Sequence, residues 1–236
     1  MPIDVKILGS SSAGNGYLVS DGYTPVLLEC GLPIKQLRNG TGYSLAGVAG
    51  CLISHEHQDH SKAAKDLLRQ GVRCYMSRGT AEAIGTLDDP AAALVQDQQQ
   101  IRLGTWDVMP FRTVHDAAEP LGFLLASGAD KLLFLTDSAY SPFTFRGLTH
   151  ILIECNYIPE VLDKNIDEGR VNPRLRQRLL HSHFGLPQVL KFLAANDLSR
   201  VQGIWLLHLS DANSDEHEMK RAVQRATGLP VHVAPR

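Results

Sequence analysis

The stretch SHEHQDH at residues 54–60 places four metal-binding side chains within six consecutive residues. It follows an apolar run, VAGCLI at residues 48–53, which predicts a buried strand. Side chains two residues apart on an extended backbone point the same way, so His55 and His57 can bind one ion. The stretch therefore predicts a strand that delivers paired histidines to a metal site.

The second half of the same stretch supplies two further ligands. Asp59 and His60 fall at the start of a helix-like segment, residues 61–70, and are predicted to face a second ion. Imidazole suits zinc, manganese or iron, and the carboxylate adds a hard oxygen ligand. A single histidine pair could be a chance surface cluster, but four ligands at this spacing favour a metal site.

Length, composition and charge predict an ordinary globular protein. The chain of 236 residues can bury a full core, and 44% of its residues are hydrophobic and 20% are charged. A formal net charge of −2 gives no overall attraction to nucleic acid, so contact with a polyanion must come from a local basic patch. No apolar run approaches the roughly 20 residues that span a bilayer, which predicts no membrane association.

The cysteines indicate the compartment. Cys30, Cys51, Cys74 and Cys155 are widely spaced and form no Cys-x-x-Cys pair, and three of them lie in apolar runs. This pattern predicts buried reduced thiols rather than a disulfide framework. The first residues also lack the basic and apolar regions of a signal peptide. We therefore expect a cytoplasmic protein.

The pattern along the chain predicts one α/β domain over residues 1–236. Short apolar runs separated by glycine-bearing turns indicate strands in the first third. Later strands are predicted at 73–76, 100–103, 106–114, 121–125, 131–136, 151–154, 203–208 and 231–233, and helices at 60–69, 80–85, 159–165, 173–181, 187–196 and 214–227. Residues 91–95 show no clear period. This order suggests two sheets with helices outside them.

Three further ligand residues follow strand-like runs. His115 follows residues 106–114, Asp137 follows 131–136 and His208 follows 203–207. Strand ends are where a rigid sheet can direct side chains into a shared cleft. Taken alone, each could be a residue that caps a strand or begins a turn. Their order after the His-x-His-x-Asp-His stretch makes them candidate ligands.

With these residues the chain resembles the metallo-β-lactamase-fold hydrolases. The shared order is a strand-end acid, His-x-His-x-Asp-His, a lone His, a bridging Asp and a final His. Within that superfamily it is similar to the WalJ/YycJ-like exonuclease branch, in the runs GSSSAGN (9–15), VHDAAEPLGF (114–123), ECNY (154–157) and HLSDANS (208–214). The resemblance implies an α/β fold, a metallo-β-lactamase-like four-layer αβ/βα sandwich, and 5′→3′ DNA exonuclease activity.

The resemblance also implies a site for two divalent metal ions, Zn²⁺ or Mn²⁺. One ion would be bound by His55, His57 and His115, the other by Asp59, His60 and His208, and Asp137 would bridge them. Glu29 stands where the superfamily usually has an aspartate. We expect Glu29 to support the ligand loop rather than to bind metal.

This site predicts two-metal hydrolysis. Two neighbouring ions lower the pKa of a shared water, which gives a bridging hydroxide, and they stabilise the charge of an in-line phosphoryl displacement. Asp59 is the candidate that both binds metal and orients the hydroxide. The leaving oxygen needs a proton or a positive partner. His183 is the candidate because the resembling branch carries a histidine there, and His181 is the competing choice.

The Gly9–Gly16 loop is a candidate phosphate contact. Its backbone N–H groups, with Ser11, Ser12 and Asn15, could bind a phosphate. It lacks the Gly-Lys-Ser/Thr ending of a P-loop, so nucleoside triphosphate binding is not implied. A tight turn between two strands is the alternative.

An arginine cluster precedes His183. Arg174, Arg176 and Arg178, with Arg170 nearby, could pair with the phosphates of a DNA substrate. A solvated helix face is the alternative reading of such a charge run.

The leading hypothesis is a metal-dependent phosphodiesterase, most specifically a 5′→3′ DNA exonuclease with DNA as its partner. The alternative is a small-molecule ester, lactone or thioester hydrolase of the same fold, in which the arginines have no role. A β-lactamase is disfavoured by the missing export signal. RNA processing is disfavoured because nothing resembles the protruding arm or extra nuclease domain of RNA-cutting relatives. An intact set of seven ligands argues against a binding module without catalysis.

Overall fold

The computed structural model describes residues 3–235, which divide into two compact units. Unit 1 consists of residues 3–112, 117–130 and 235, and unit 2 of residues 113–116 and 131–234. The prediction of a single domain over residues 1–236 stays a prediction.

Unit 1 is built mainly from strands. Its elements are β1 (Asp4–Ser11), β2 (Gly14–Ser20), β3 (Pro25–Leu28), α1 (Ile34–Gly40), β4 (Cys51–Leu52), α2 (Gln58–Ser61), α3 (Ala64–Arg69), β5 (Cys74–Met76), α4 (Arg78–Ile84), β6 (Ala92–Leu94), β7 (Ile101–Leu103), β8 (Trp106–Arg112) and β9 (Leu121–Ser127). A six-stranded sheet has the order β1-β2-β3-β4-β5-β6, antiparallel up to β3 and parallel beyond it. Strands β7, β8 and β9 pair antiparallel.

Unit 2 alternates strands and helices. Its elements are β10 (Asp130–Leu135), β11 (His150–Glu154), α5 (Pro159–Asp167), α6 (Pro173–Ser182), α7 (Leu186–Ala195), β12 (Gly203–Leu207), α8 (Glu216–Thr227) and β13 (Val231–Val233). Strands β10, β11, β12 and β13 pair in parallel. Strand β11 is buried along its whole length, as expected for a strand covered on both faces. The carboxyl ends of these parallel strands meet at one edge.

Two elements were not predicted from the sequence. Helix α1 is short and mostly polar, and only Ile34 and Leu37 contact the apolar core, so its sequence gives little helical periodicity. Residues 91–95 contain β6, which pairs in parallel with β5 through Cys74 and Ala92. Alanine does not favour strands, so this pairing overrides the local preference.

The predicted helix at 60–69 is two short helices, α2 and α3, because its hydrogen bonds are diverted. In a continuous helix the Ala63 N–H would donate to the Asp59 carbonyl. Instead it donates to the Cys30 carbonyl at 2.8 Å, and the Asp59 carbonyl accepts from Asn15 Nδ2 at 3.1 Å. The break ties the ligand-bearing turn to the end of β3.

The cysteines agree with the sequence-based expectation. Cys30, Cys51, Cys74 and Cys155 are buried free thiols, as predicted. The first three belong to the apolar core of unit 1, with Leu27 and Ile53 among their neighbours. Within residues 3–235, no helix has the length and apolar character required to cross a membrane.

Candidate metal centre

His55 and His57 lie just beyond β4 with their rings in contact. His55 Nε2 is 3.0 Å from His57 Nδ1, and the ring centroids are 4.6 Å apart. The Ser54 hydroxyl lies 2.8 Å from His55 Nδ1 and fixes the orientation of that ring. The two histidines lie in the short segment between β4 and α2, where His57 is the residue before the first turn of α2.

Asp59 and His60 lie in α2, next to this pair. The His60 ring is 4.2 Å from the His55 ring, and His60 Nε2 is 3.3 Å from Asp59 Oδ2. Asn15 Nδ2 contacts the Asp59 carbonyl and carboxylate at 3.1 and 3.4 Å. A Cβ at Gly31 would overlap the Asp59 carbonyl oxygen, so only glycine allows this approach. Unit 1 therefore brings the ligand residues of the His-x-His-x-Asp-His stretch into one cluster.

Glu29 lies at the end of β3 against this cluster. Its fully buried carboxylate accepts a hydrogen bond from the Ser54 N–H at 3.2 Å and lies 3.5 Å from His60 Nδ1. Burial raises the pKa of Glu29, although His60 and Ser54 lower it in part. The extra methylene, relative to aspartate, still lets the carboxylate reach the ligand loop.

A second cluster lies in unit 2. It comprises Asp137, Glu154, His183 and His208, whose candidate ligand atoms all lie within 4.8 Å of one another. Asp137 follows β10, Glu154 ends β11 and His208 follows β12, so three of the four stand at one edge of the parallel strands. His208 Nδ1 lies 3.0 Å from Asp137 Oδ1.

His115 extends the unit 2 cluster. Its Nδ1 is 2.7 Å from the Ser182 carbonyl, and its Nε2 is 3.6 Å from Asp137 Oδ2. Burial lowers the pKa of His115, although the Asp137 charge opposes that shift. A neutral imidazole whose Nδ1–H is held by a carbonyl presents Nε2 as a metal ligand.

Glu154 is the functional candidate that the sequence analysis missed. It is fully buried and accepts four hydrogen bonds: from Ser138 N at 3.2 Å, Phe184 N at 2.9 Å, His183 Nδ1 at 2.7 Å and His208 Nδ1 at 2.9 Å. Burial alone would raise the pKa of Glu154, but the charge of His183 and these hydrogen bonds lower it. The signal was present, since Glu154 ends a buried strand as the predicted ligands do.

The structure separates the two candidate proton donors. His183 contacts Glu154 and lies 3.7 Å from Asp137 Oδ2, whereas His181 is exposed on α6. Burial alone would lower the pKa of His183, but the charge and hydrogen bond of Glu154 outweigh it and raise the pKa. His183, and not His181, is therefore the histidine that this cluster brings next to Asp137 and Glu154.

Two site residues have left-handed backbone conformations. Glu29 has φ 65° and His208 has φ 53°, and each immediately follows a strand. Such conformations cost about 1–3 kcal/mol for residues other than glycine and cluster at functional sites. The surrounding contacts hold both residues in these conformations and direct their side chains into their respective clusters.

The Gly9–Gly16 segment comprises the end of β1, a two-residue turn at Ser12 and Ala13, and the start of β2. Asn15 is buried and faces Asp59, Ser11 Oγ accepts a hydrogen bond from Ala13 N, and Ser12 is exposed. Asn15 thus supports the ligand loop. A phosphate contact at Ser11, Ser12 and Asn15 stays a prediction.

The arginine cluster is largely engaged in surface ion pairs. Arg176 contacts Asp163 at 2.6 Å, Arg178 contacts Asp116 at 3.3 Å and Arg170 contacts Glu168. All three arginines and Arg174 are exposed. Pairing with acidic neighbours weakens the local positive field on which DNA binding would depend.

The chemistry of both clusters fits divalent transition-metal ions. Each combines buried imidazoles with carboxylates, the donor set that suits zinc and manganese. Buried charges of this kind require compensation, which a cation would supply.

These observations agree with comparisons to known proteins. Residues 24–204 match the family model described as Beta-lactamase superfamily domain. The chain therefore belongs to that superfamily, and it is a hydrolase of the metallo-β-lactamase fold. The predicted resemblance and the α/β fold class are confirmed.

The relatives that carry a functional name share about a quarter of their residues with this chain. The chain is 25% identical to Exodeoxyribonuclease WalJ of Streptococcus pneumoniae, over 89% of this chain and 82% of the relative. It is 26% identical to Exodeoxyribonuclease YycJ of Bacillus anthracis, over 95% of this chain and 89% of the relative. Among solved structures, the metallo-β-lactamase fold protein YhfI from Bacillus subtilis matches with a TM-score of 0.76 and 17% identity, covering 100% of this chain and 97% of that one. This last similarity concerns the fold alone.

Proposed function

We propose that the protein is a metal-dependent phosphodiesterase that acts as a 5′→3′ DNA exonuclease. The observation that carries the proposal is the Glu154–His183 pair beside Asp137. An alkoxide leaving group of a phosphodiester requires a proton donor, and this pair places an imidazole, held by a carboxylate, next to a candidate metal ligand. The two relatives named exodeoxyribonucleases, which align with most of this chain, support the choice of DNA.

We further propose that seven residues bind two ions, Zn²⁺ or Mn²⁺. One ion is assigned to His55, His57 and His115, the other to Asp59, His60 and His208, with Asp137 shared. The order of these residues along the chain, which matches the superfamily motif, supports this assignment. When bound, such ions lower the pKa of a shared water and stabilise the charge that develops on the phosphoryl group.

The protein's own residues have separate tasks in this proposal. Asp59 binds metal and orients the attacking water. His183 donates its proton to the leaving 3′ oxygen. Glu154 accepts the Nδ1–H of His183 and of His208 and so fixes the orientation of both rings. Glu29 holds the ligand loop through Ser54 N.

DNA contacts are proposed at Ser11, Ser12 and the arginine cluster. Arg174 has no ion pair among residues 3–235, whereas Arg176 and Arg178 would have to exchange acidic partners for phosphates. One family model covers parts of both units, which supports a single metallo-hydrolase domain. The four free thiols support a cytoplasmic location.

A small-molecule ester, lactone or thioester hydrolase is the second candidate. The ion pairs of Arg176 and Arg178 favour it, because an enzyme for small neutral substrates needs no unpaired basic surface. In this alternative the same ligands and the same proton donor act on an acyl group.

The deciding experiment incubates the purified protein with single- and double-stranded DNA labelled at the 5′ or 3′ end. Mn²⁺ or Zn²⁺ is supplied, and chelated protein serves as control. We expect mononucleotides to be released early from the 5′ end when metal is supplied, and no release by the chelated protein. A panel of lactones, thioesters and phosphodiesters is tested in parallel. Efficient lactone or thioester hydrolysis without DNA degradation would establish the second candidate instead.

A further inference from the structure

Unit 2 contains a cavity of about 260 Å³ whose walls are aromatic. Its lining includes Tyr140, Phe143, Phe184, Gln188, Lys191 and Phe192. Of these, Phe184 and Phe192 are buried, with ring centroids 6.3 Å apart. Tyr140 is 55% exposed. An aromatic side chain this exposed beside a cavity suggests a ligand that stacks on it.

Two walls of the cavity are hydrogen-bonded to the metal-site carboxylate. Phe184 follows His183 directly, and its N–H donates to Glu154 Oε2 at 2.9 Å. On the other side the Ser138 N–H donates to the same oxygen at 3.2 Å, and Ser138 Oγ donates to the Tyr140 carbonyl at 2.7 Å. The cavity and the unit 2 ligand cluster thus share Glu154 as an anchor.

The polar groups of the cavity indicate what kind of ligand it would take. Lys191 is exposed and provides a positive charge next to the aromatic walls. Gln188 Oε1 is buried and accepts no hydrogen bond from any residue between 3 and 235. The volume lies below the roughly 300–1,000 Å³ of pockets for drug-sized ligands, so one flat ring system is the appropriate size. A planar ring with N–H donors and an adjoining negative charge describes a nucleotide.

We propose that this cavity binds the nucleobase of a nucleotide at the end of the strand being degraded. The base stacks on Tyr140 and Phe143, an N–H of the base satisfies Gln188, and Lys191 contacts the neighbouring phosphate. This inference rests on the proposed function and adds a base-binding subsite to it. Stacking accepts every base, because each base has a π-face, so the subsite suits an exonuclease without sequence preference.

The test combines a protein variant with a modified substrate. Tyr140→Ala removes the ring, Tyr140→Phe keeps it, and Tyr43→Ala removes another exposed tyrosine, one that does not line the cavity. Substrates carry an abasic sugar at the first, second or third position from the 5′ end. Cleavage efficiency is measured with metal, and the Kd of uncleavable phosphorothioate strands is measured by fluorescence anisotropy.

Loss of one stacked base predicts that Tyr140→Ala weakens binding of the intact strand about 5- to 150-fold. Tyr140→Phe and Tyr43→Ala should stay within about twofold. An abasic sugar at the occupied position should weaken binding to the parent protein by a similar factor. On that abasic strand, Tyr140→Ala should cause little further loss of affinity. This non-additivity is expected when both changes remove the same contact.

Three results would overturn the inference. Equal losses for Tyr140→Ala on intact and abasic strands would mean that the ring does not contact a base. An unchanged Kd for Tyr140→Ala on every strand would also mean that the ring does not contact a base. In either case, DNA cleavage by the parent protein would leave the proposed function intact. If the parent neither binds nor cleaves DNA but hydrolyses thioesters, with Tyr140→Ala altering its chain-length preference, the cavity holds an acyl group. In that last case the proposed function fails as well.

Discussion

Replacing Glu154 with glutamine tests the link between the unit 2 cluster and metal binding. The substitution preserves shape but replaces one carboxylate oxygen with an NH₂ group, which donates. Oε1 of Glu154 accepts from His183 and His208, and Oε2 accepts from Ser138 N and Phe184 N. Either orientation of the amide therefore places its NH₂ against two donors.

The expected magnitude follows from the two donors that lose their acceptor. A buried donor without an acceptor costs about 1–3 kcal/mol, so the free energy of unfolding should fall by about 2–6 kcal/mol. The imidazoles can reduce this cost by changing tautomer, so that Nδ1 accepts. A ring in that tautomer carries its proton on Nε2 and cannot bind metal there. The metal affinity should then fall by about 10- to 100-fold.

Two measurements separate these effects. Guanidinium denaturation of chelated protein gives the free energy of unfolding, and competition with a chromophoric chelator gives the Zn²⁺ affinity. Glu160→Gln, at an exposed carboxylate of α5, is the matched control. The reasoning is refuted if Glu154→Gln changes the Zn²⁺ affinity by less than about twofold and the free energy of unfolding by less than about 0.5 kcal/mol, the range of ordinary surface substitutions.

Three further outcomes are expected. Asp59→Ala should lower DNA cleavage at least about tenfold with an unchanged circular dichroism spectrum, and activity near the parent's would remove Asp59 from the mechanism. His183→Ala should lower kcat by about 100-fold or more while His181→Ala, at an exposed helix position, leaves it unchanged; equal effects would contradict the assignment of the proton donor. Burial alone would raise the pKa of Asp21, but hydrogen bonds from Ser127, Thr105, Thr24 and Tyr23 lower it to about 2. A carboxyl group whose pKa is lowered on folding stabilises the folded state at every pH above its ordinary pKa near 3.8. Asp21→Asn should therefore lower the free energy of unfolding by about 2 kcal/mol at pH 7. That difference, followed by chemical denaturation, should shrink as the pH falls from about 4 towards 2.

The sequence predicted the candidate ligands because they follow a local rule. Asp137 and His208 each come just after a hydrophobic strand, and the parallel order of β10, β11 and β12 brings such residues to one edge. The same rule would have selected Glu154, which ends β11. It was overlooked because a glutamate at a strand end is unremarkable until its partners are known. Those partners, His183 and His208, lie 29 and 54 residues further along the chain.

Short elements were harder to predict for a related reason. Helix α1 and strand β6 carry little apolar periodicity of their own, and β6 exists through its pairing with β5. The division of 60–69 into two helices depends on a contact between Ala63 and Cys30, which no local pattern reveals.

The Gly9–Gly16 loop contains a residue whose structural role its own sequence did not indicate. The polar, glycine-bearing sequence predicts a phosphate contact, and that contact stays a prediction. In the structure Asn15 donates to the Asp59 carbonyl, the acceptor that the break between α2 and α3 leaves available. Gly31 permits the close approach of this carbonyl, because any side chain there would overlap it. Asn15 and Gly31 thus fix the turn that carries Asp59 and His60.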